Sequence, residues 1–138
     1  MEFAIGIVLA VIAGVSLTTA GMDRDRAVYP VILIVIASYY ALFAVMGGST
    51  EALVIESAVA VVFAGLSVAG FKSTLWLVVA ALAAHGVFDL VHGRIIQNPG
   101  VPAWWPMFCL AYDVTAAAYL AWLISRNRIR PPEHAAAR

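Results

Sequence analysis

Charge and cysteine are scarce in this chain. Only 12% of its 138 residues are charged, and eight basic side chains balance eight acidic ones. A chain without net charge has no electrostatic attraction for nucleic acid, so no nucleic-acid partner is expected. The single cysteine, Cys109, excludes an intrachain disulfide and any CxxC redox or zinc motif.

Apolar residues are correspondingly abundant. They make up 64% of the chain, against about 45 to 50% in a soluble domain, and the mean hydropathy is +0.96. Five apolar stretches come close to the ~20 residues that cross a ~30 Å hydrocarbon core; they cover residues 3–20, 28–46, 52–70, 74–91 and 107–125. The sequence therefore predicts an all-α polytopic membrane bundle of five transmembrane helices, one domain over residues 1–125. Residues 126–138 are predicted to be a disordered, basic cytoplasmic tail.

The distribution of lysine and arginine predicts which ends of the helices face the cytoplasm. Cytoplasmic loops carry an excess of these residues. If the C-terminus is inside, only Arg94 lies outside. The basic residues then on the inside are Arg24, Arg26, Lys72, Arg126, Arg128, Arg130 and Arg138. This bias predicts an N-out, C-in protein, which we expect in the inner (plasma) membrane of a bacterium.

Small residues recur four positions apart in several of these stretches. Gly65 with Ala69 and Ala80 with Ala84 are two such pairs. In lipid, this spacing lets helix backbones approach closely. We expect these pairs to lie at contacts between helices.

The fourth apolar stretch carries three ionisable residues, His85, Asp89 and His92, in the sequence AAHGVFDLVHG. At about 100° per residue they lie within about 60° of one another on a helix, so one face presents two imidazoles and a carboxylate. Each such group costs about 2.5 to 3.5 kcal/mol in hydrocarbon unless it is paired, hydrated or bound. This face therefore indicates a functional site.

Two carboxylates on other helices reach the same depth under this topology. Glu56 lies about one turn below the outer surface, and Asp113, at about 1.5 Å per residue, lies about 9 Å in. Together with His85, Asp89 and His92 they occupy the outer half of the bilayer. If dispersed and facing lipid, these groups would cost of order 10 kcal/mol. The sequence therefore predicts that they face one another or a cavity open to the outside.

Three explanations of this cluster are open. In the first, it binds a divalent metal such as Zn, Fe or Mn, which neutral imidazole and carboxylate ligands suit. The ligands would then be His85, Asp89, His92 and Asp113. A dinuclear centre is a variant of this idea, although the Glu-x-x-His pairs usual in di-metal bundles are absent. In the second, the cluster relays protons or acts as acid and base on a membrane-borne substrate. In the third, it is a hydrogen-bond lock between helices.

The C-terminal third carries three motifs in a row. They are a helical HxxxDxxH that begins at His85, an Asn-Pro-x-Val-Pro loop that begins at Asn98, and a last span with Cys109 and Asp113 four residues apart on one face. Over residues 81–115 this pattern resembles a family of small bacterial membrane proteins of unknown function. The resemblance implies that these residues form one unit, and it implies no activity.

The preferred interpretation is a membrane-embedded, metal-dependent enzyme, such as a hydrolase, that acts on a lipid or other apolar substrate at the outer leaflet. In that enzyme Asp113 is a further metal ligand or the general base, and Glu56 shuttles protons. The alternatives are a small proton- or cation-coupled transporter or channel, and an accessory subunit of a membrane complex. Polar residues are sparse in the inner halves of the spans, which favours a pocket over a pore. Assembly into a homo-oligomer is compatible with each of these functions.

Overall fold

Five long helices account for most of the chain. The computed structural model describes residues 1–129 and contains α1 (Glu2–Ala20), α2 (Val28–Met46), α3 (Thr50–Lys72), α4 (Leu75–Ile95) and α5 (Trp105–Ser125), with one 3-10 turn at Met22–Arg24. Each of the five is long and apolar enough to cross a membrane. The all-helical bundle of five candidate spans is thereby confirmed. Of the predicted tail, residues 130–138 lie outside the described residues.

Local sequence signals explain where the later helices begin. The side chains of Ser49 and Thr74 accept hydrogen bonds from the backbone N–H groups of Ala52 and Trp76, at 3.2 and 3.4 Å. They cap the N-termini of α3 and α4, where backbone N–H groups have no partner within the helix. Pro106 lies in the first turn of α5, where its missing N–H removes no helical hydrogen bond.

Helix α4 contacts three of the other four long helices. It packs against α2, α3 and α5, whereas α1 packs against α5. Apolar side chains fill the space between the packed helices, and the fully buried ones are Leu33, Val78, Leu82, Leu120 and Leu123. Many large apolar side chains are also exposed on the outer faces of the helices. That distribution is typical of a bundle surrounded by lipid.

Helix α1 docks on α5 through a stripe of small residues. Its buried residues are Gly6, Ala10 and Gly14, which recur every four positions. A Cβ at Gly6 would lie 2.4 Å from the Phe108 carbonyl oxygen, and a Cβ at Gly14 would lie 3.0 Å from the Tyr119 ring. The two helices run parallel, and their backbones approach as closely as small residues allow.

The small-residue pairs singled out in the sequence lie elsewhere. Gly65, Ala69, Ala80 and Ala84 are all exposed, and a Cβ at Gly65 would meet nothing within 4 Å. The expectation that they mediate contacts within the bundle is wrong, because α3 and α4 turn these faces away from their neighbours.

The α4–α5 loop folds back against α2. A Cβ at Gly100 would lie 1.8 Å from the Phe43 carbonyl oxygen, and a Cβ at Gly47 would lie 2.5 Å from the Gly100 nitrogen. The Asn98 side chain donates a hydrogen bond of 3.0 Å to the carbonyl oxygen of Tyr40. We call the end of the bundle where the α2–α3 and α4–α5 loops lie the loop end.

A cluster of polar residues lies at the end of the bundle opposite to the loop end. The buried Asp23 accepts a hydrogen bond from the Thr18 hydroxyl, which is also 2.7 Å from the Tyr119 hydroxyl. Arg26 donates to the carbonyl oxygens of Phe71 and Ser73, at 3.1 and 3.3 Å. These contacts stabilise the packing of the helix ends. They do not show which end of the bundle faces the cytoplasm, so the N-out, C-in orientation stays a prediction.

Candidate metal centre and an adjacent histidine pair

Two neighbouring helices supply a buried polar group, which we call the four-residue cluster. It consists of His85 and Asp89 from α4 with Cys109 and Asp113 from α5. Within each helix the two residues are four positions apart and so lie on one face. One ligand atom from each residue lies within 4.8 Å of the other three, and each residue is at most 2% exposed. Donors about 2.0 to 2.3 Å from one tetrahedral ion lie about 3 to 4 Å apart, so a small inward adjustment lets these four share an ion.

A glycine on α4 allows this convergence. A Cβ at Gly86 would lie 3.2 Å from the Cβ of Asp113 and 3.2 Å from the Leu110 carbonyl oxygen. Because those distances are shorter than ordinary van der Waals contact, a larger residue would push α4 and α5 apart. Gly86 follows His85 directly in the chain, so the close approach occurs at the level of the cluster.

Hydrogen bonds orient the side chains of the cluster. His85 Nδ1 lies 2.6 Å from Asp113 Oδ2 and 3.6 Å from Asp89 Oδ2. The Tyr40 hydroxyl, from α2, donates a bond of 2.6 Å to Asp89 Oδ1. The predicted proximity of Asp89 and Asp113, which lie on different helices, is confirmed. Three helices therefore hold one imidazole and two carboxylates in fixed positions.

Two carboxylate oxygens of the cluster have no hydrogen-bond partner within the described part of the chain. They are Asp89 Oδ2 and Asp113 Oδ1, each fully shielded from solvent. A buried acceptor without a partner costs about 1 to 3 kcal/mol, and more when it is charged. A cation bound among the four donors would remove that cost.

A second buried pair lies next to the cluster. His92 Nε2, from α4, is 2.7 Å from Glu56 Oε1, from α3. The Asn98 side chain, from the α4–α5 loop, donates a further bond of 2.9 Å to the same oxygen. The other carboxylate oxygen, Glu56 Oε2, is buried and has no hydrogen-bond partner among residues 1–129. We call Glu56 and His92 the histidine pair; Asn98 supports this pair through its bond to Glu56.

Tyr40 lies between the cluster and the histidine pair. Its ring stacks on His92, with centroids 4.0 Å apart and planes at 24°, while its hydroxyl binds Asp89. Phe63 packs edge-on against His85 at 4.7 Å, and Phe88 does the same against His92 at 5.5 Å. Aromatic rings thus surround both polar groups, which excludes water and strengthens their electrostatic interactions.

The predicted site residues divide between these two groups. His85, Asp89 and Asp113 lie together, as the metal hypothesis requires. His92, predicted as a ligand, and Glu56, predicted as a proton shuttle, contact each other instead and lie outside the four-residue cluster. All of the predicted site residues are buried.

Sequence reasoning did not assign roles to three residues that the structure places in these groups. Cys109 joins the cluster, Tyr40 bonds Asp89, and Asn98 bonds Glu56. The four-residue spacing of Cys109 and Asp113 was the available signal for the first of them. The partners of the other two contacts are separated by 49 and 42 positions in the chain. Over such separations sequence periodicity carries no information.

No protein-family model, curated protein or solved structure matches the chain. The resemblance over residues 81–115 therefore remains a similarity of sequence motifs and does not assign the chain to a family. The class of protein that fold and site define is a helical, membrane-type bundle with a buried His/Asp/Cys group that can hold a metal ion.

The donor atoms of the cluster fit a transition metal. One imidazole, two carboxylates and one thiol offer nitrogen, oxygen and sulfur ligands. Zinc and iron accept all three kinds, whereas manganese prefers oxygen and seldom binds thiolate. Cys109 thus adds a thiol to the imidazole and carboxylate donors considered from the sequence.

Proposed function

We propose that this protein is a membrane-embedded, metal-dependent enzyme that acts on a lipid or other apolar substrate. The observation that carries the proposal is the convergence of four buried donors within 4.8 Å, two of them carboxylates with an oxygen that has no hydrogen-bond partner among residues 1–129. A hydrogen-bond lock between helices would not need oxygens without such a partner, which are costly in a buried site.

We assign His85, Asp89 and Cys109 as the metal ligands. Asp113 is either the fourth ligand or the group that holds the His85 ring in place through Nδ1, since histidine ligands usually donate their second N–H to a carboxylate. In the latter case one coordination position stays open, as a catalytic site requires. A divalent ion there supplies a Lewis acid that polarises a carbonyl or phosphoryl oxygen and activates water.

The histidine pair is proposed as the proton store of the site. Glu56 and His92 are 2.7 Å apart, and Glu56 keeps one oxygen free to accept a proton. Tyr40 contacts both the pair and Asp89, so protonation of the pair would alter the surroundings of the cluster. In this role Glu56 serves the reaction as a proton shuttle, and Asp113, where it does not bind the ion, is the candidate general base.

A second candidate function is a proton- or cation-coupled transporter. It is favoured by the polar group at the end of the bundle opposite to the loop end, where Thr18 contacts both Asp23 and Tyr119. A transport pathway needs polar groups on both sides of the membrane, and this group provides them on the second side. The enzyme remains the preferred proposal because the core between the two clusters of polar residues is filled mainly by apolar side chains.

Elemental analysis of the purified protein tests the enzyme proposal. After chelator-free purification and resupply of zinc or iron, we expect about one ion per chain, and we expect that ion to be lost as pH falls, because protons compete for imidazole and thiolate. A protein without stoichiometric transition metal under these conditions would contradict the proposal. Proton relay or structural locking would then explain the cluster.

We further propose that the loop end faces the outside of a bacterial inner membrane, so that the substrate is reached from the outer leaflet. Reporter fusions at the C-terminus and in the Met22–Arg24 turn are expected to be active in the cytoplasm, because seven of the eight basic residues then lie inside. A fusion at Gly48, at the loop end, serves as the control and is expected to lie outside the cytoplasm. A periplasmic C-terminus would overturn this orientation. The exposed small residues of α3 and α4 leave room for a homo-oligomer.

A further inference from the structure

A groove lies between α2 and α5, beside the four-residue cluster. Its volume is about 390 Å³, within the range of about 300 to 1,000 Å³ that ligand pockets span. On α2 its wall extends from Val31 to Tyr39, and on α5 from Trp105 to Tyr112. Apart from Cys109, every residue that lines it is apolar or aromatic.

The groove opens toward the medium that surrounds the bundle. Val31 and Val35 on its α2 wall are 54% and 45% exposed, and both lie within an apolar helix that can cross a membrane. Toward the loop end Tyr39 and Trp105 line the groove, and their rings meet edge to face at 5.3 Å. The opening therefore faces hydrocarbon from the side, and the wall along α2 is about 12 Å long at about 1.5 Å per residue.

Cys109 connects the groove to the cluster. It lines the groove and is also one of the four donors that lie within 4.8 Å of one another. His85, Asp89 and Asp113 do not line the groove. A molecule in the groove would therefore contact the cluster at the cysteine, while the charged donors stay behind it.

We propose that this groove holds one hydrocarbon chain of a membrane lipid, which enters sideways from the bilayer and lies against Cys109. An occupant of this kind fits because the lining offers no charge and few hydrogen-bonding groups, and because lipid chains are the medium outside the opening. This inference deepens the proposed function: it makes the substrate a lipid that reaches the cluster laterally, with its chain along α2 and α5.

Photo-crosslinking in lipid vesicles tests this proposal. The full chain is reconstituted in phosphatidylglycerol vesicles that contain a small fraction of lipid with a diazirine on one acyl chain, and labelled peptides are quantified by mass spectrometry. We expect several-fold more label on the α5 wall than on the exposed face of α3. Val35→Trp fills the groove and is expected to reduce the α5 label several-fold. Val61→Trp is the matched control, since Val61 is 69% exposed on α3 and does not line the groove.

Two results would overturn the proposal. One is equal labelling of α5 and α3, which would mean that the lipid only surrounds the bundle. The other is α5 labelling that Val35→Trp leaves unchanged; Val31→Trp provides a second groove-filling variant if the first does not fold. The metal content of the same samples is measured in parallel. Bound metal without groove labelling contradicts the groove alone, and groove labelling without metal contradicts the enzyme alone.

Discussion

Replacing His85 by alanine is expected to abolish stoichiometric metal binding. The variant removes the only imidazole of the four-residue cluster, and metal affinity depends on the number and geometry of ligands. Loss of an orienting partner alone weakens metal affinity about 10- to 100-fold, so loss of the ligand should exceed that. Cys109→Ser is expected to act in the same direction, because a hydroxyl does not replace a thiolate. Competition with a chelator, followed by elemental analysis, measures both effects.

His92→Ala is the control for this experiment. His92 is on the same helix and equally buried, but it contacts Glu56 and lies outside the cluster. We expect a folded His92→Ala protein to keep its ion. If it loses the ion as completely as His85→Ala does, His92 is a ligand, as the sequence alone had predicted, and the division into two groups is wrong. His134→Ala, in the predicted C-terminal tail and outside the described residues, should have no effect in either case.

Replacing Glu56 by leucine is expected to destabilise the fold by about 1 to 3 kcal/mol, the usual cost of leaving a buried hydrogen-bonding group without its partner. His92 Nε2 loses its hydrogen-bond partner, and the Asn98 amide keeps only its bond to the carbonyl oxygen of Tyr40. His92 stays buried and Asn98 stays half-buried. The Asn98 contact also holds the α4–α5 loop against α3. Unfolding of the protein in mixed detergent micelles, followed by circular dichroism, measures the change in free energy.

Two variants show whether the lost pair is the cause. Glu56→Leu combined with His92→Leu should recover much of the stability, because replacing both partners of a buried hydrogen bond by apolar groups of similar shape can be nearly neutral. Glu51→Leu, on the exposed first turn of α3, removes a carboxylate that favours the helix N-terminus and should cost less than about 1 kcal/mol. Equal effects of Glu51→Leu and Glu56→Leu would mean that the histidine pair does not contribute to stability.

The elements of the fold were predictable because they depend on local information. The length of an apolar stretch decides whether it can cross a membrane, and all five predicted stretches lie largely within helices of the structure. The relation between His85 and Asp89, and between Cys109 and Asp113, is equally local, since residues four apart share a helix face. The sequence could therefore place carboxylates and imidazoles at one depth.

What the sequence by itself determined was thus the composition of each helix and the position of its polar residues along the helix. The tertiary structure alone decided how each helix is rotated and which neighbour it meets. It paired Glu56 with His92, and it brought Cys109 to the cluster and Tyr40 between the two groups. The physical reason is that rotation and contact depend on close packing between distant segments, such as Gly86 of α4 against α5 and Gly100 against α2. Helical periodicity does not encode those approaches, because any rotation that keeps polar groups away from lipid satisfies it.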